Sequence, residues 1–292
     1  MDHREFVAGL EAERRAALMV RSDAVGLRHL ALHLGLIAVT GGWIGLALPL
    51  WPVVLPLHGV FLVFLFTLEH EATHKTPFAS DALNEWVGRL CGFVLLLPFE
   101  WFRYFHLAHH RWTNIAGRDP ELEGLRPATR RQWVWHVAGV PYWLAEVRLL
   151  AGLVRGRMAD YVPQGARARV VAEARWMVVG YVGVVASLWV TPVLFWLWLL
   201  PVLLGQPVLR LYLLAEHGDC AQVANMFENT RTTFTVRLVR VLAWNMPYHV
   251  EHHVMPAVPF HRLPELHGLM KDELRVTAAG YAAFTKAYLA RL

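Results

Sequence analysis

Cysteine is nearly absent: Cys91 and Cys220 are the only two in 292 residues. That excludes a disulfide framework, an iron–sulfur cluster and a cysteine-rich zinc site, and each reads as an inert buried thiol. Charge is missing from two long stretches. No Asp, Glu, Lys or Arg occurs from His29 to Leu68, nor from Trp176 to Leu209. A membrane span needs about 20 apolar residues, so each stretch has room for two spans and a turn. Pro49, Trp51 and Pro52 break the first stretch, and Thr191 with Pro192 breaks the second, because proline cannot continue a helical hydrogen-bond ladder. Pairs of buried helices in a soluble core are the rival reading, and the length of the runs argues against it. A hydrophobic content of 56% and a mean hydropathy of +0.35 agree with spans.

Repeats and low-complexity tracts are also missing. No cleavable leader is expected, because the first 28 residues mix Glu11 and Glu13 with Arg14 and Arg15 and offer no short apolar core before a small-residue site. All 28 Lys and Arg lie away from the two predicted hairpin tips: five before the first hairpin, fourteen between the hairpins, Arg210 near the end of the second, and eight after it. Basic segments stay in the cytoplasm, so both termini and the central segment are expected there. The net charge of +5 suits a surface against anionic lipid heads and calls for no nucleic acid.

The expectation is an all-α integral membrane protein of one domain, 1–292, with four transmembrane helices in two hairpins and a cytoplasmic helical cap. Residues 1–28 form a cytoplasmic N-terminal helix, 29–69 the first hairpin, 70–175 a cytoplasmic and interfacial segment, 176–215 the second hairpin, and 216–292 the cap. Within the central segment, Leu90 to Phe99 is too short to span and reads as interfacial or re-entrant. Gln132 to Val154, with Trp133, Trp135, Tyr142 and Trp143, reads as a helix in the head-group layer.

What the chain has in excess is histidine, 16 in all. His70 and His74 are spaced i, i+4. His106, His109 and His110 are spaced i, i+3, i+4, and His249, His252 and His253 repeat that spacing. Residues three and four apart share a helix face, so each cluster aims its imidazoles one way. His217 stands alone after the fourth span. All nine fall on one predicted membrane face. Nine nitrogens are too many for one ion and suit two ions with four or five each; imidazole favours iron, zinc, copper or nickel. Ligating histidines pass their other N–H to an outer partner, for which Glu71, Asp119, Glu121, Glu216 and Glu251 are candidates. His3, His29, His33, His58, His136, His261 and His267 show no such grouping and are read as structural or exposed.

These boxes resemble those of the membrane fatty-acid desaturase and hydroxylase superfamily, whose pattern is H-x(3,4)-H, H-x(2,3)-H-H and a second H-x(2,3)-H-H. The resemblance covers roughly Phe64 to Leu269. His109-His110-Arg111-Trp112-Thr113-Asn114 followed by Asp119-Pro120 looks like desaturases. Asn245, Glu216-His217-Gly218 and Lys75 look like the alkane monooxygenase branch, and carotenoid ketolases and hydroxylases share the boxes. The resemblance implies two irons held by His70, His74, His106, His109, His110, His217, His249, His252 and His253, with O2 as co-substrate. The implied reaction is oxidation of a lipid-like hydrocarbon chain by a fatty-acid desaturase or hydroxylase. An alkane or carotenoid monooxygenase or ketolase on the same core is the alternative. With no haem motif and no ferredoxin cysteines, electrons are expected from a separate ferredoxin, rubredoxin or haem-type protein with its reductase. Family members of the acyl-CoA type carry an asparagine one turn before the lone histidine. Leu213 occupies that place here, and Asn245 is the candidate to serve instead. Trp189, Phe195, Trp196, Trp198 and Tyr212 are candidate liners of a substrate path between the spans. Two rivals are weaker: an intramembrane zinc metalloprotease using His70-Glu71-His74, which would leave seven of the nine histidines without work, and a metal or haem carrier, which needs polar ligands near the bilayer midplane where the spans offer only His33 and His58.

Overall fold

The computed structural model describes residues 2–124 and 126–292; Met1, part of the predicted N-terminal helix, lies outside them. Two short helices, α1 (His3–Gly9) and α2 (Ala12–Leu18), lead into α3 (Asp23–Gly45). Each important start has a local cause. Asp2 caps α1 while Glu5 reaches back to the Asp2 amide, a capping box, and the Ser22 side chain accepts from Val25 at the head of α3. The chain turns through left-handed Ala47 and Leu50 into α4 (Trp51–Val63), where Pro52 sits in the first turn, a position that needs no N–H. α4 breaks at Phe64 and continues as α5 (Leu65–Thr73).

Among the described residues four helical stretches are long and apolar enough to cross a membrane: Ala12–Gly45, Trp51–Thr73, Gln164–Ser187 and Phe195–His217. The number agrees with the sequence, but the bounds differ. The third helix, α10 (Gln164–Ser187), starts well before Trp176 and carries Arg167, Arg169, Glu173 and Arg175 in its first turns. A charge-free window marks the apolar depth a helix crosses, not where its hydrogen bonds begin. The fourth is a wide π turn at Phe195–Leu199 running into α11 (Leu200–His217). Val39, Val179 and Val182 are exposed on α3 and α10.

α4 packs along α11 in the most extensive helix contact, and glycine makes it feasible. A Cβ on Gly59 would lie 1.9 Å from the Pro201 carbonyl oxygen, and one on Gly205 2.3 Å from the Gly59 carbonyl. Small residues allow such approach where apolar surroundings supply no net drive. The contact sets side by side the ends of α5 and α11, which carry histidines.

Between these spans lie two bent pairs. α6 (Asp81–Leu95) and α7 (Phe99–Trp112) meet at 98°, turned by left-handed Leu96 and by Pro98, so the apolar run Leu90–Phe99 is a corner. α8 (Arg130–Val137) and α9 (Val140–Val154) meet at 58° where the sequence suggested one helix. Gly139 there has φ +72, and a Cβ would lie 2.6 Å from Gln206 Cγ. After α11 come α12 (Met226–Asn229), α13 (Arg237–Leu242), α14 (His249–Val254), α15 (Leu263–Met270) and α16 (Tyr281–Ala290). Two short strands, β1 (Thr232–Thr233) and β2 (Thr277–Ala278), pair in parallel, the one departure from an all-helical chain among the described residues. Trp244, Phe99, Phe227 and Phe260 are fully buried around the histidine-bearing helices.

Candidate metal centre

Four elements deliver the nine histidines. His70 lies on α5 with His74 at its end, His106, His109 and His110 lie on α7, His217 ends α11, and His249, His252 and His253 lie on α14. All are buried except His74, which is half-buried. One nitrogen from each of His70, His74, His106, His110 and His252 falls within 4.8 Å of all the others. Within this group the Nε2 atoms of His70 and His252 are 2.7 Å apart, those of His74 and His106 2.9 Å, and those of His110 and His252 3.2 Å. A second group contains His109, His217 and His253, and His249 joins it with Nε2 3.1 Å from those of both His217 and His253. The two groups touch where the His110 and His253 rings stack at 4.1 Å.

The division into five and four follows from helix geometry. Pairs at i, i+4 (His70/His74, His106/His110, His249/His253) stay together. Neighbours in sequence, His109/His110 and His252/His253, point about 100° apart on a helix and enter different groups.

The outer ring nitrogens explain why the Nε2 atoms converge. His109 Nδ1 donates to Asp119 at 2.9 Å, His217 Nδ1 to the Asn229 carbonyl at 3.2 Å, and His253 Nδ1 to Thr113 Oγ1 at 3.2 Å. His249 Nδ1 faces Glu216 at 3.4 Å and His252 Nδ1 faces Glu71 at 3.5 Å. A proton held on Nδ1 leaves the Nε2 lone pair free. Burial, reinforced by neighbouring imidazoles, holds His249, His252 and His253 well below the usual histidine range, so they are neutral donors. Burial also pulls His109 down, but Glu121 and Asp119 more than offset it and leave it above its usual value. Buried lone pairs aimed at one another are costly without a shared cation. Two nitrogens about 2.1 Å from one ion stand roughly 3 Å apart at right angles, which is the spacing seen. The donor set therefore fits two nitrogen-ligated metal ions.

A cavity of about 420 Å³ opens onto His70, His106, His109, His217 and His249. Phe66, Trp101, Phe102, Phe105 and Leu213 form its apolar wall, and Tyr142, Glu146 and Arg210 stand in another part of the lining.

A family model described as fatty acid desaturase matches residues 46–285. The chain belongs to the fatty acid desaturase family. It is a membrane protein and an oxidoreductase. Among its relatives is an sn-1 oleoyl-lipid 12-desaturase of Picosynechococcus sp., 25% identical over 261 residues that cover 82% of this chain and 75% of the relative. A dihydrorhizobitoxine desaturase of Bradyrhizobium elkanii is 26% identical, covering 80% of this chain and 70% of its own length. An sn-1 acyl-lipid omega-3 desaturase (ferredoxin) of Synechocystis sp. is 27% identical over 123 residues, 40% of this chain and 33% of the relative.

In this desaturase-family chain several residues lie elsewhere than the sequence suggested. Glu251 faces no clustered histidine. It accepts from Thr232 Oγ1 and from His267 Nδ1, both at 2.5 Å, so His267 is an inner partner of α14 and not an isolated histidine. Asn245 donates to the Phe260 carbonyl at 3.0 Å and has no hydrogen bond to any of the nine histidines. The Phe260 amide in turn donates to Glu71, which puts Asn245 one peptide further out. The candidate liners also move. Trp189 is 90% exposed, Trp198 donates to the Val94 carbonyl, and Tyr212 stacks on Tyr281 along a separate groove. Phe195 and Trp196 do not line the histidine cavity either; its aromatic wall comes mainly from α7, whose side chains turn inward at the 98° corner.

Both rival readings lose their residues. Glu71 accepts from Thr76 Oγ1 and the Phe260 amide and faces His252, so it is not a free base in front of His70 and His74. His33 is tied to the Phe61 carbonyl and the Trp244 indole, and His58 to Thr40 and the Leu197 carbonyl. Sequence reasoning missed Thr113 and the Asn229 carbonyl. A backbone carbonyl has no residue signature, but Thr113, four residues past His109, was within reach of a helix-spacing argument.

Proposed function

We propose that the protein is a diiron desaturase that uses O2 and two electrons to remove two hydrogens from adjacent carbons of a fatty acyl chain, yielding a double bond and water. His70, His74, His106, His110 and His252 would hold one iron, and His109, His217, His249 and His253 the other. The single observation that carries this reading is the convergence of nine Nε2 atoms, five and four, at the end of an apolar-walled cavity. When bound, the ions supply O2 reduction coupled to hydrogen abstraction from an unactivated C–H bond. Asp119, Glu71, Glu216, Thr113 and the Asn229 carbonyl orient the rings. Phe66, Trp101, Phe102, Phe105 and Leu213 seat the chain and keep water from the reacting carbons.

Two hairpins with both ends and the histidine-bearing cap in the cytoplasm suit the Lys and Arg distribution. Electrons come from a ferredoxin-type protein, as the name of the Synechocystis relative states for itself. The deciding experiment supplies iron-loaded protein with ferredoxin, its reductase, O2 and labelled 18-carbon acyl substrates, then identifies products by mass spectrometry. A new double bond with iron bound to both groups is expected. Stoichiometric zinc without iron, or unchanged chains in reduced iron-loaded protein, would sink the reading.

A further inference from the structure

Arg210 is the one charged residue between Trp176 and Ala215, and it lies in the fourth span. A charged side chain inside a membrane segment is costly and points to a function, with a partner to be found. Among the described residues its guanidinium has no hydrogen bond and no ion pair. Nε is buried and unpartnered, the face of the Tyr142 ring lies at 4.1 Å, and the carboxyl groups of Glu146, Glu121 and Glu216 act on the charge only through space. Glu146, on the facing helix α9, is 8% exposed with Oε2 unpartnered. The half-buried His136 ring lies against the Arg210 backbone. All three side chains line the cavity that reaches the histidines. An ion pair serving only to join α9 and α11 would close, yet Arg210 and Glu146 stay open towards the same space.

The site stands at a useful distance. Arg210 and His217 are two turns apart on α11, roughly 10 Å along the axis, with Leu213 and Leu214 lining the cavity between them. The cavity thus has a cationic end, an apolar wall and a metal-binding end. We propose that Arg210, flanked by Tyr142 and Glu146, is the head-group site of this cavity and takes the free carboxylate of an unesterified long-chain acid. The guanidinium fork matches a carboxylate with two parallel hydrogen bonds. Burial raises Glu146 to about 8 while Arg210 pulls it down, so at neutral pH it adds an O–H donor and no repelling charge. One cation beside one neutral acid balances a single negative charge, whereas an ester brings none and leaves most guanidinium donors unmet.

The proposal rests on the desaturase reading, and binding tests it separately from turnover. Radiolabelled oleate and methyl oleate are titrated onto the full chain in nanodiscs, with empty nanodiscs subtracted. Wild type should bind oleate about 10- to 100-fold tighter than the ester, the range of a hydrogen-bonded charge. Arg210→Gln should erase that preference, and Arg210→Lys, which keeps the charge but not the fork, should keep part of it. Equal binding of acid and ester by wild type, or an undiminished preference in Arg210→Gln, overturns the proposal. Should Arg210→Gln fail to insert, the wild-type comparison decides by itself. Arg210-dependent binding without any double bond formed would leave the carboxylate site standing and remove the desaturase reading. Desaturation of glycerolipid chains without preferential acid binding would do the reverse.

Discussion

Consider His217→Ala. The imidazole Nε2 lies 3.2 Å from that of His109 and 3.1 Å from that of His249, and its Nδ1 donates to the Asn229 carbonyl. Alanine removes one of four nitrogens from the second group and leaves the group of five intact. Loss of an outer partner alone lowers metal affinity or activity about 10- to 100-fold, and loss of a ligand costs at least that. At about 1.4 kcal/mol per tenfold, the minimum is roughly 1.4–2.8 kcal/mol of binding free energy. The fold loses less, because the Asn229 carbonyl keeps the Asn114 side-chain amide as a donor at 2.7 Å and is not left unmet, so only a net hydrogen bond of about 0.5–1.5 kcal/mol is lost. Protein purified in detergent should therefore insert normally, melt a little lower, lose iron from two per chain towards one, and show no turnover. Iron per chain by mass spectrometry, thermal unfolding and product formation are read on the same preparation. His261→Ala, outside both groups, is the control. His267 is unsuitable because it bonds Glu251. Iron content and turnover at wild-type levels in His217→Ala would refute the assignment and leave three nitrogens in that group.

Asp119→Asn keeps the shape of the side chain but removes the buried anionic acceptor from His109 and leaves only the more exposed Glu121 at 3.0 Å, so iron affinity by chelator competition should fall about 10- to 100-fold. Gly59→Ala places a methyl 1.9 Å from the Pro201 oxygen and should destabilise by about 1–3 kcal/mol, whereas Gly183→Ala, with nothing within 4 Å, should melt like wild type. Glu146 has a folded value near 8 against 4.5 unfolded. Between those values the folded chain holds a proton the unfolded chain has released, so stability falls as pH rises. Melting at about pH 5 and about pH 8 should show this loss in wild type and less of it in Glu146→Gln; parallel slopes would discard the assignment.

Charge-free windows from His29 to Leu68 and from Trp176 to Leu209 were enough to locate the four candidate spans, because apolar length is a local property. The i, i+3 and i, i+4 spacing of the histidines was enough to nominate nine ligands, because spacing decides which residues share a helix face. What spacing cannot say is which faces meet. The sorting into five and four, the seating of Asp119, Glu216 and Glu71 behind particular rings, and the capture of Glu251 by His267 depend on how α5, α7, α11 and α14 are set against one another. Contacts such as Gly59 against Gly205 fix that placement between residues far apart in the chain. Helix ends differ for a related reason: α10 runs past its apolar window to Gln164, since backbone hydrogen bonding continues through charged turns that hydropathy does not register. The open Arg210 was visible as a lone charge in the sequence. Only the tertiary structure showed that α8 and α9 bring it a ring, an acid and an imidazole but no counter-ion, because pairing across a cavity depends on three-dimensional packing.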